Sequence, residues 1–437
     1  MPRLTRPLAR GQIYLEPRSL LAAAPARWRA RGTLVGEFER AFADALDAPH
    51  ALALPHARVA FQLLLRALAL PPGSEVLLTP VTIPEIVSVV LIEGLTPVFV
   101  DLAERTGNLD CDDLARKITP RSRVLLVTHL CGVASDMTRV LSLTRDRGIE
   151  VLEDCSQVPG TRHAGRALGL FGRAGFFSLT PLKPVSALFG GLTVTADDTL
   201  ARELGRLAAS LPPPLPSRRL LGLLARDVVL HAVTAPAGFA TVGYPAVRLG
   251  EAWCPQRVRD FQRGQLLGPR GVTRLRAMPG WRYARFGEIQ AAVGLQGLAA
   301  LDEGNARRQT LALDLYDRLA RAEVPGLLRG FSRDEATFWR FPLWTRHVRA
   351  LRRHLRARGV DTSPTNLDCC SREPAFAPHL RDTPQARSFV DEMVFLPMHP
   401  TLTPSDVTHI ADAVTDFFAG RAPPEGDARG AAGSPRP

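Results

Sequence analysis

The chain has 437 residues, 46% of them hydrophobic and 22% charged, a composition that can bury a large core and reads as a soluble, globular protein of about two domains. Its net charge of +12 would suit an anionic substrate, nucleic acid or an acidic membrane surface, but the arginines are spread through the sequence and form no stripe between aromatics, which argues against nucleic acid. The six cysteines, Cys111, Cys131, Cys155, Cys254, Cys369 and Cys370, lack metal-ligand spacing and include an adjacent pair ill suited to a disulfide, so no metal and a reducing, cytoplasmic setting are expected.

Residues 1–32 have no continuous apolar segment of the secretory kind and read as an irregular arm. From Glu37 to Leu46, apolar residues Phe38, Ala41, Phe42 and Leu46 fall on one helical face. Ala51–Leu54 then reads as a strand, Val59–Leu68 as an apolar helix, Glu75–Leu78 as a strand, Glu85–Glu93 as a helix and Thr96–Val100 as a strand. Asp113–Ile118, strand Val124–Val127, helix Met137–Arg147 and strand Glu150–Leu152 continue the alternation. Strands alternating with helices predict a parallel sheet covered on both faces, with ligands at the carboxyl ends of the strands, where Asp154 falls. No GxGxxG follows the early strands, so a dinucleotide-binding reading lacks its fingerprint.

The next stretch, Val151 to Thr195, holds Lys183, one of only two lysines among 55 basic side chains. Arginine is effectively never deprotonated, so a lysine retained in an arginine-rich chain suggests chemistry that needs a free amine, such as imine formation. The other lysine, Lys117, lies in a polar stretch and carries no such reading. A longer segment, about 210–275, begins with the prolines of 212–216 and continues into a basic amphipathic helix bearing Leu220, Leu224 and Val228 on one face. It is too interrupted to span a bilayer. A buried or subunit-covered helix is the simpler expectation, and the alternatives are peripheral contact of 217–250 with an anionic membrane, a cap on the active site or packing on a dimer partner. Beyond it come the helix Glu288–Leu301, a C-terminal part of helices and one strand, and a Gly/Pro/Ala-rich tail, 421–437, expected to be disordered.

Leu152, Glu153, Asp154, Cys155, Ser156 and Gln157, followed by Phe177, Ser178, Lys183, Gly190 and Gly191, match the motifs of one family at its spacing. The chain thereby resembles the DegT/DnrJ/EryC1/StrS sugar aminotransferases, which use pyridoxal 5'-phosphate (PLP). The resemblance runs over about 33–420 and includes GEFERAFADAL, GLTPVFVDL, VTHLCGVASDM and FLPMHPTLTPSDV. It implies a fold-type I PLP-dependent transferase. A large three-layer α/β/α domain with a mostly parallel sheet would cover 33–304, interrupted by the 210–275 insertion, and a smaller C-terminal α+β domain would cover 305–420.

The same resemblance implies site roles. Lys183 would hold PLP as an imine and move the proton, Asp154 would pair with the pyridinium nitrogen, Gln157 would sit by the ring hydroxyl and Ser178 would bind phosphate. His56, Ala57 and Arg58 replace the family's Ser-Gly-Thr at a helix start, where backbone N–H groups and Arg58 can still hold a phosphate, so Ala57 and Arg58 join the cofactor set. Ile83 and Pro84 stand where the family tends to carry a ring-stacking aromatic. GWRYARFGEIQ has no asparagine where the family sends one across a homodimer interface to the phosphate, and Arg282 or Tyr283 takes its place. His129 is expected to make a structural hydrogen bond.

The implied function moves an amino group, from glutamate by expectation, to a keto sugar linked to a nucleotide, in amino-sugar or secondary-metabolite biosynthesis. Retention of Lys183 argues against the dehydratase branch, which places histidine there. Two alternatives stay open: a cyclitol or other non-nucleotide ketone as acceptor, and a non-catalytic, membrane-associated homologue, which the three departures would suit.

Overall fold

Seven strands form the central sheet in the spatial order His50–Leu54, Gly191–Thr195, Ala174–Ser178, Glu150–Asp154, Ser122–Thr128, Glu75–Leu78, Thr96–Phe99. The last five of these run parallel, and Gly191–Thr195 alone is antiparallel to both of its neighbours. The computed structural model describes residues 6–15, 18–26, 33–253 and 272–420. The tail expected to be disordered lies outside the described residues, as do parts of the arm and of the insertion.

The near-continuous apolar runs EVLL and RVLLVT suit strands covered on both faces, and the packing divides them accordingly. Leu125 and Val127 join Phe38, Phe42, Val140 and Ile289 on one face, whereas Val124 and Leu126 join Leu64, Val87 and Leu204 on the other. Alternate side chains of a strand point to opposite faces, so one short segment feeds both cores. The expected elements form with small shifts at their ends: the helix expected from Glu37 begins at Thr33, and the one expected from Met137 to Arg147 tightens into a 3-10 turn at Arg145–Arg147 before Gly148, at φ 62°.

One expectation changes. Within the stretch read as an irregular arm, Arg18–Ala26 is a helix whose Ala23 is buried as it packs on the Glu288–Ala299 helix. The arm is also tied to the C-terminal part, where the Arg10 guanidinium donates to both oxygens of Asp361 at 2.6 and 2.8 Å. That part has its own apolar cluster, with Leu311, Leu315, Phe341, Leu396 and Val414, around the antiparallel pair Phe341–Trp344 and Met393–Leu396. The insertion is helical too: Ser217–Thr234 turns by 71° into Pro236–Gly250, which contains a π turn at Phe239–Gly243. Leu220 and Leu224 of its first helix are buried, and Val228 of the same face is only half-buried. No single helix among the described residues is long and apolar enough to cross a membrane.

Candidate active site

Three neighbouring parallel strands end at one cavity of about 200 Å³, bringing Thr128, Asp154 and Ser178 to its wall from their last positions. The turn after Ser178 returns Lys183 to the same cavity, its backbone N–H donating to the Thr180 carbonyl at 2.9 Å. The first turn of the Ala57–Ala67 helix supplies Ala57 and Arg58. Gly191 lets that turn come close: a Cβ there would stand 2.5 Å from the Ala57 nitrogen. Gly190, at φ +151°, would likewise drive a Cβ to 2.7 Å from the Phe286 ring.

Lys183 lies with its Nζ 3.7 Å from the centroid of the Trp339 ring, which is held by its own Nε1 donating to the Leu182 carbonyl at 2.9 Å. Burial, with the nearby Arg340 charge, lowers the lysine pKa to about 7, and Asp154 opposes the shift. Asp154 is pushed the other way, above the usual carboxylate range. Burial dominates there, while the Ser156 N–H at 3.0 Å and the Lys183 charge offset it in part. No cationic side chain among the described residues is in ion-pair contact with Asp154. The cavity therefore holds an amine that sheds its proton easily and a carboxylate without a counter-ion.

Gln157 is oriented by its Oε1, which accepts from the Cys131 N–H at 2.8 Å, so its amide NH₂ is the end left to donate. The hydroxyls of Ser178 and Thr180 lie 3.4 Å apart on the same wall. Arg58 pairs with Glu85 at 2.5 Å, and Arg282 approaches the same carboxylate at 3.3 Å, leaving two cations to share one anion beside a helix start. Neither Arg282 nor Tyr283 is on the wall of this chain's own cavity: Arg282 reaches the Glu85 carboxylate that Arg58 holds, and the Tyr283 hydroxyl donates to Gln62 Oε1 at 2.7 Å. Ile83 does face the cavity.

His56, from the altered helix start, also lines the wall, and three further wall residues, Thr180, Trp339 and Asn366, carry no local signal in the sequence. His56 stacks on Phe189, and its buried Nε2 has no hydrogen-bond partner. Burial and the Arg58 and Arg282 charges lower its pKa to about 3, so it is neutral. Trp339 and Asn366 come from the C-terminal part, and nothing short of tertiary packing sets them opposite Lys183.

His129, Glu153 and Cys155 form a second buried group whose ligand-type atoms all lie within 4.8 Å of one another. Its hydrogen bonds are already committed, however. Glu153 accepts from the Gly169 and Gly172 N–H groups at 2.9 and 2.8 Å and meets His129 Nε2 at 3.2 Å, while His129 Nδ1 accepts from the Ser135 N–H at 3.1 Å. Burial also holds the Cys155 thiol well above its ordinary pKa. A neutral thiol and a committed carboxylate make a strut under the strand ends, as expected of His129, and not a metal centre.

The model of the DegT/DnrJ/EryC1/StrS aminotransferase family matches residues 16–210 and 270–415. Among curated relatives, the spore coat polysaccharide biosynthesis protein SpsC of Bacillus subtilis is 26% identical over 90% of this chain and 92% of its own length. The dTDP-3-amino-3,4,6-trideoxy-alpha-D-glucose transaminase of Streptomyces venezuelae is 29% identical over 87% and 86%. Of solved structures, DesV of S. venezuelae, in complex with a ketimine intermediate, superposes with a TM-score of 0.69 at 27% identity, covering 94% of this chain and all of its own.

Proposed function

The chain belongs to the DegT/DnrJ/EryC1/StrS aminotransferase family, and from that premise we propose that it is a PLP-dependent enzyme moving an amino group from glutamate to the keto group of a nucleotide-linked sugar. One observation carries the reading: a lysine of lowered basicity and an uncompensated buried carboxylate share one cavity at the strand ends. The names of the relatives, which include GDP-perosamine synthase and the dTDP-sugar transaminase, support the sugar-nucleotide acceptor.

PLP fits the residues present. The carboxylate of Asp154, without a cation of its own, would hold the protonated ring nitrogen, and the Gln157 NH₂ would donate to the ring hydroxyl. Ser178, Thr180 and the start of the Ala57–Ala67 helix would hold the phosphate, with Arg58 and Arg282 in place of the family's Ser-Gly-Thr and asparagine. Ile83 would present an apolar face to the ring where relatives use an aromatic one. When bound, the group supplies an electron sink beside the carbon that carries the amine.

The chain's own residues would do the rest. Lys183, with its pKa lowered to about 7, accepts and returns a proton near neutral pH, the range in which general acid–base catalysis is most efficient. Trp339 covers the Nζ and keeps water from it. Arg340 suits the carboxylate of the donor: it stacks on Trp339 at 4.3 Å and Phe395 at 5.4 Å, donates to Asn366 Oδ1 at 3.2 Å, and has no acidic partner among the described residues. Guanidinium groups bind carboxylates bidentately, so Arg340→Ala should raise the KM for glutamate more than about tenfold and leave the KM for the keto sugar unchanged.

The absorbance spectrum of the purified protein with PLP, beside Lys183→Ala, tests the reading. A visible band that requires Lys183 and bleaches with glutamate supports an aminotransferase. Absence of the band would mean that the altered phosphate and ring contacts no longer hold the cofactor, which returns the non-catalytic alternative. Profiling keto sugars against cyclitol ketones then separates the two acceptor classes.

A further inference from the structure

The family match stops at residue 210 and resumes at 270, so the helices between lie outside what the family model describes. They are also where the surface is most apolar. Of the nine large hydrophobic side chains exposed among the described residues, five are Val229, Leu230, Val242, Leu249 and Trp253. Val242, Pro245, Ala246, Leu249 and Trp253 recur at helical spacing and are all exposed, which makes one uninterrupted apolar stripe along the second helix.

The first helix is divided differently. Its inner side is anchored by buried Leu220 and Leu224 and by His231 Nδ1 hydrogen-bonded to the Ile13 carbonyl at 2.6 Å. Its outer side carries Arg218 and Arg219 in the first turn, Arg226 at the middle, and Val229 and Leu230 beyond it. Between Ser217 and Gly250 the single carboxylate is Asp227, which is buried and paired with Arg226 at 2.7 Å, so the exposed charge is arginine throughout, Arg248 included.

We propose that residues 217–253 dock the enzyme on an anionic lipid surface. The apolar stripe enters the boundary between headgroups and acyl chains, Trp253 sits at that boundary, and the flanking arginines pair with lipid phosphates. The 71° turn and the arginines on the outer side of the first helix keep the pair lying along the surface, since arginines in the hydrocarbon are costly. A symmetric contact between two copies fits less well, because a self-complementary face would set the exposed arginines of 217–250 against one another, and Asp227, the one carboxylate of that stretch, is buried.

The test is flotation of the full chain with vesicles of phosphatidylcholine alone and of phosphatidylcholine with phosphatidylglycerol. Recovery with the anionic vesicles only, falling as salt is raised, is expected. A Val242→Asp/Leu249→Asp variant should lose at least about tenfold of that binding, and Arg218→Gln/Arg219→Gln about fivefold per arginine. Thermal melting should match wild type for both, and the arginine variant, being confined to exposed side chains, keeps the test informative if the first one misfolds. No recovery with anionic vesicles, or recovery that neither variant lowers, overturns the proposal. So does a change in sedimentation mass with lipid recovery unaltered, which would assign the stripe to a second copy.

Discussion

Two polar clusters stand side by side at the end of one strand, and they have opposite characters. Glu153 is wholly buried, and its acceptor capacity is spent on two backbone N–H groups and His129. Asp154, the next residue, points to the other face with one hydrogen-bonded oxygen and no ion-pair partner among the described residues, opposite a lysine that burial strips of its affinity for protons. The strand's two-residue period separates them. The difference teaches where chemistry can reside: a polar cluster that satisfies itself stiffens the fold, and one left unsatisfied is ready for a ligand.

The largest expected effect breaks the second cluster alone. Lys183→Ala should cut aminotransfer by at least roughly ten-thousandfold while denaturant midpoints hold or rise, because the amine is costly to bury. Glu153→Ala should do the reverse to stability, costing about 3–5 kcal/mol by stranding two buried N–H groups and a histidine, as read from urea unfolding.

A third prediction sharpens the contrast through pH. The folded Lys183 pKa, about 7, lies below its unfolded value, so between those two pH values the unfolded chain binds one more proton. Protein free of cofactor should therefore gain stability as pH rises from about 7 toward 10, by a few kcal/mol at most, and Lys183→Met should lose this gain. Asp154 has the opposite sign: its raised pKa makes stability fall as pH climbs above the ordinary carboxylate range, and Asp154→Asn should remove that fall. The smallest effect is that of Tyr283→Phe. It should cost about 1 kcal/mol through the lost hydrogen bond to Gln62 and leave PLP affinity unchanged, whereas weakened cofactor binding would place Tyr283 in the site after all.

Much of this was legible from residue order. The strand and helix alternation follows from apolar periodicity, a local property, and most ends moved by only a few residues. Lys183, Asp154, Gln157 and Ser178 were legible because short stretches of chain at the strand ends carry them, so their spacing survives in the sequence. Arg18–Ala26 is not legible in the sequence, because its helix is held by packing on the Glu288–Ala299 helix and lacks a strong pattern of its own.

The sequence by itself determined the sheet, the identity of the family and the residues that strand ends present together, because each depends on neighbours along the chain. Only the tertiary structure decided the rest. It set Trp339, Arg340 and Asn366 near Lys183, turned Tyr283 to Gln62 and Arg282 to Glu85, and left the second insertion helix's apolar stripe facing out. Each of these is a contact between distant segments, or the lack of one. Amphipathic spacing shows that a helix has an apolar face and never what covers it.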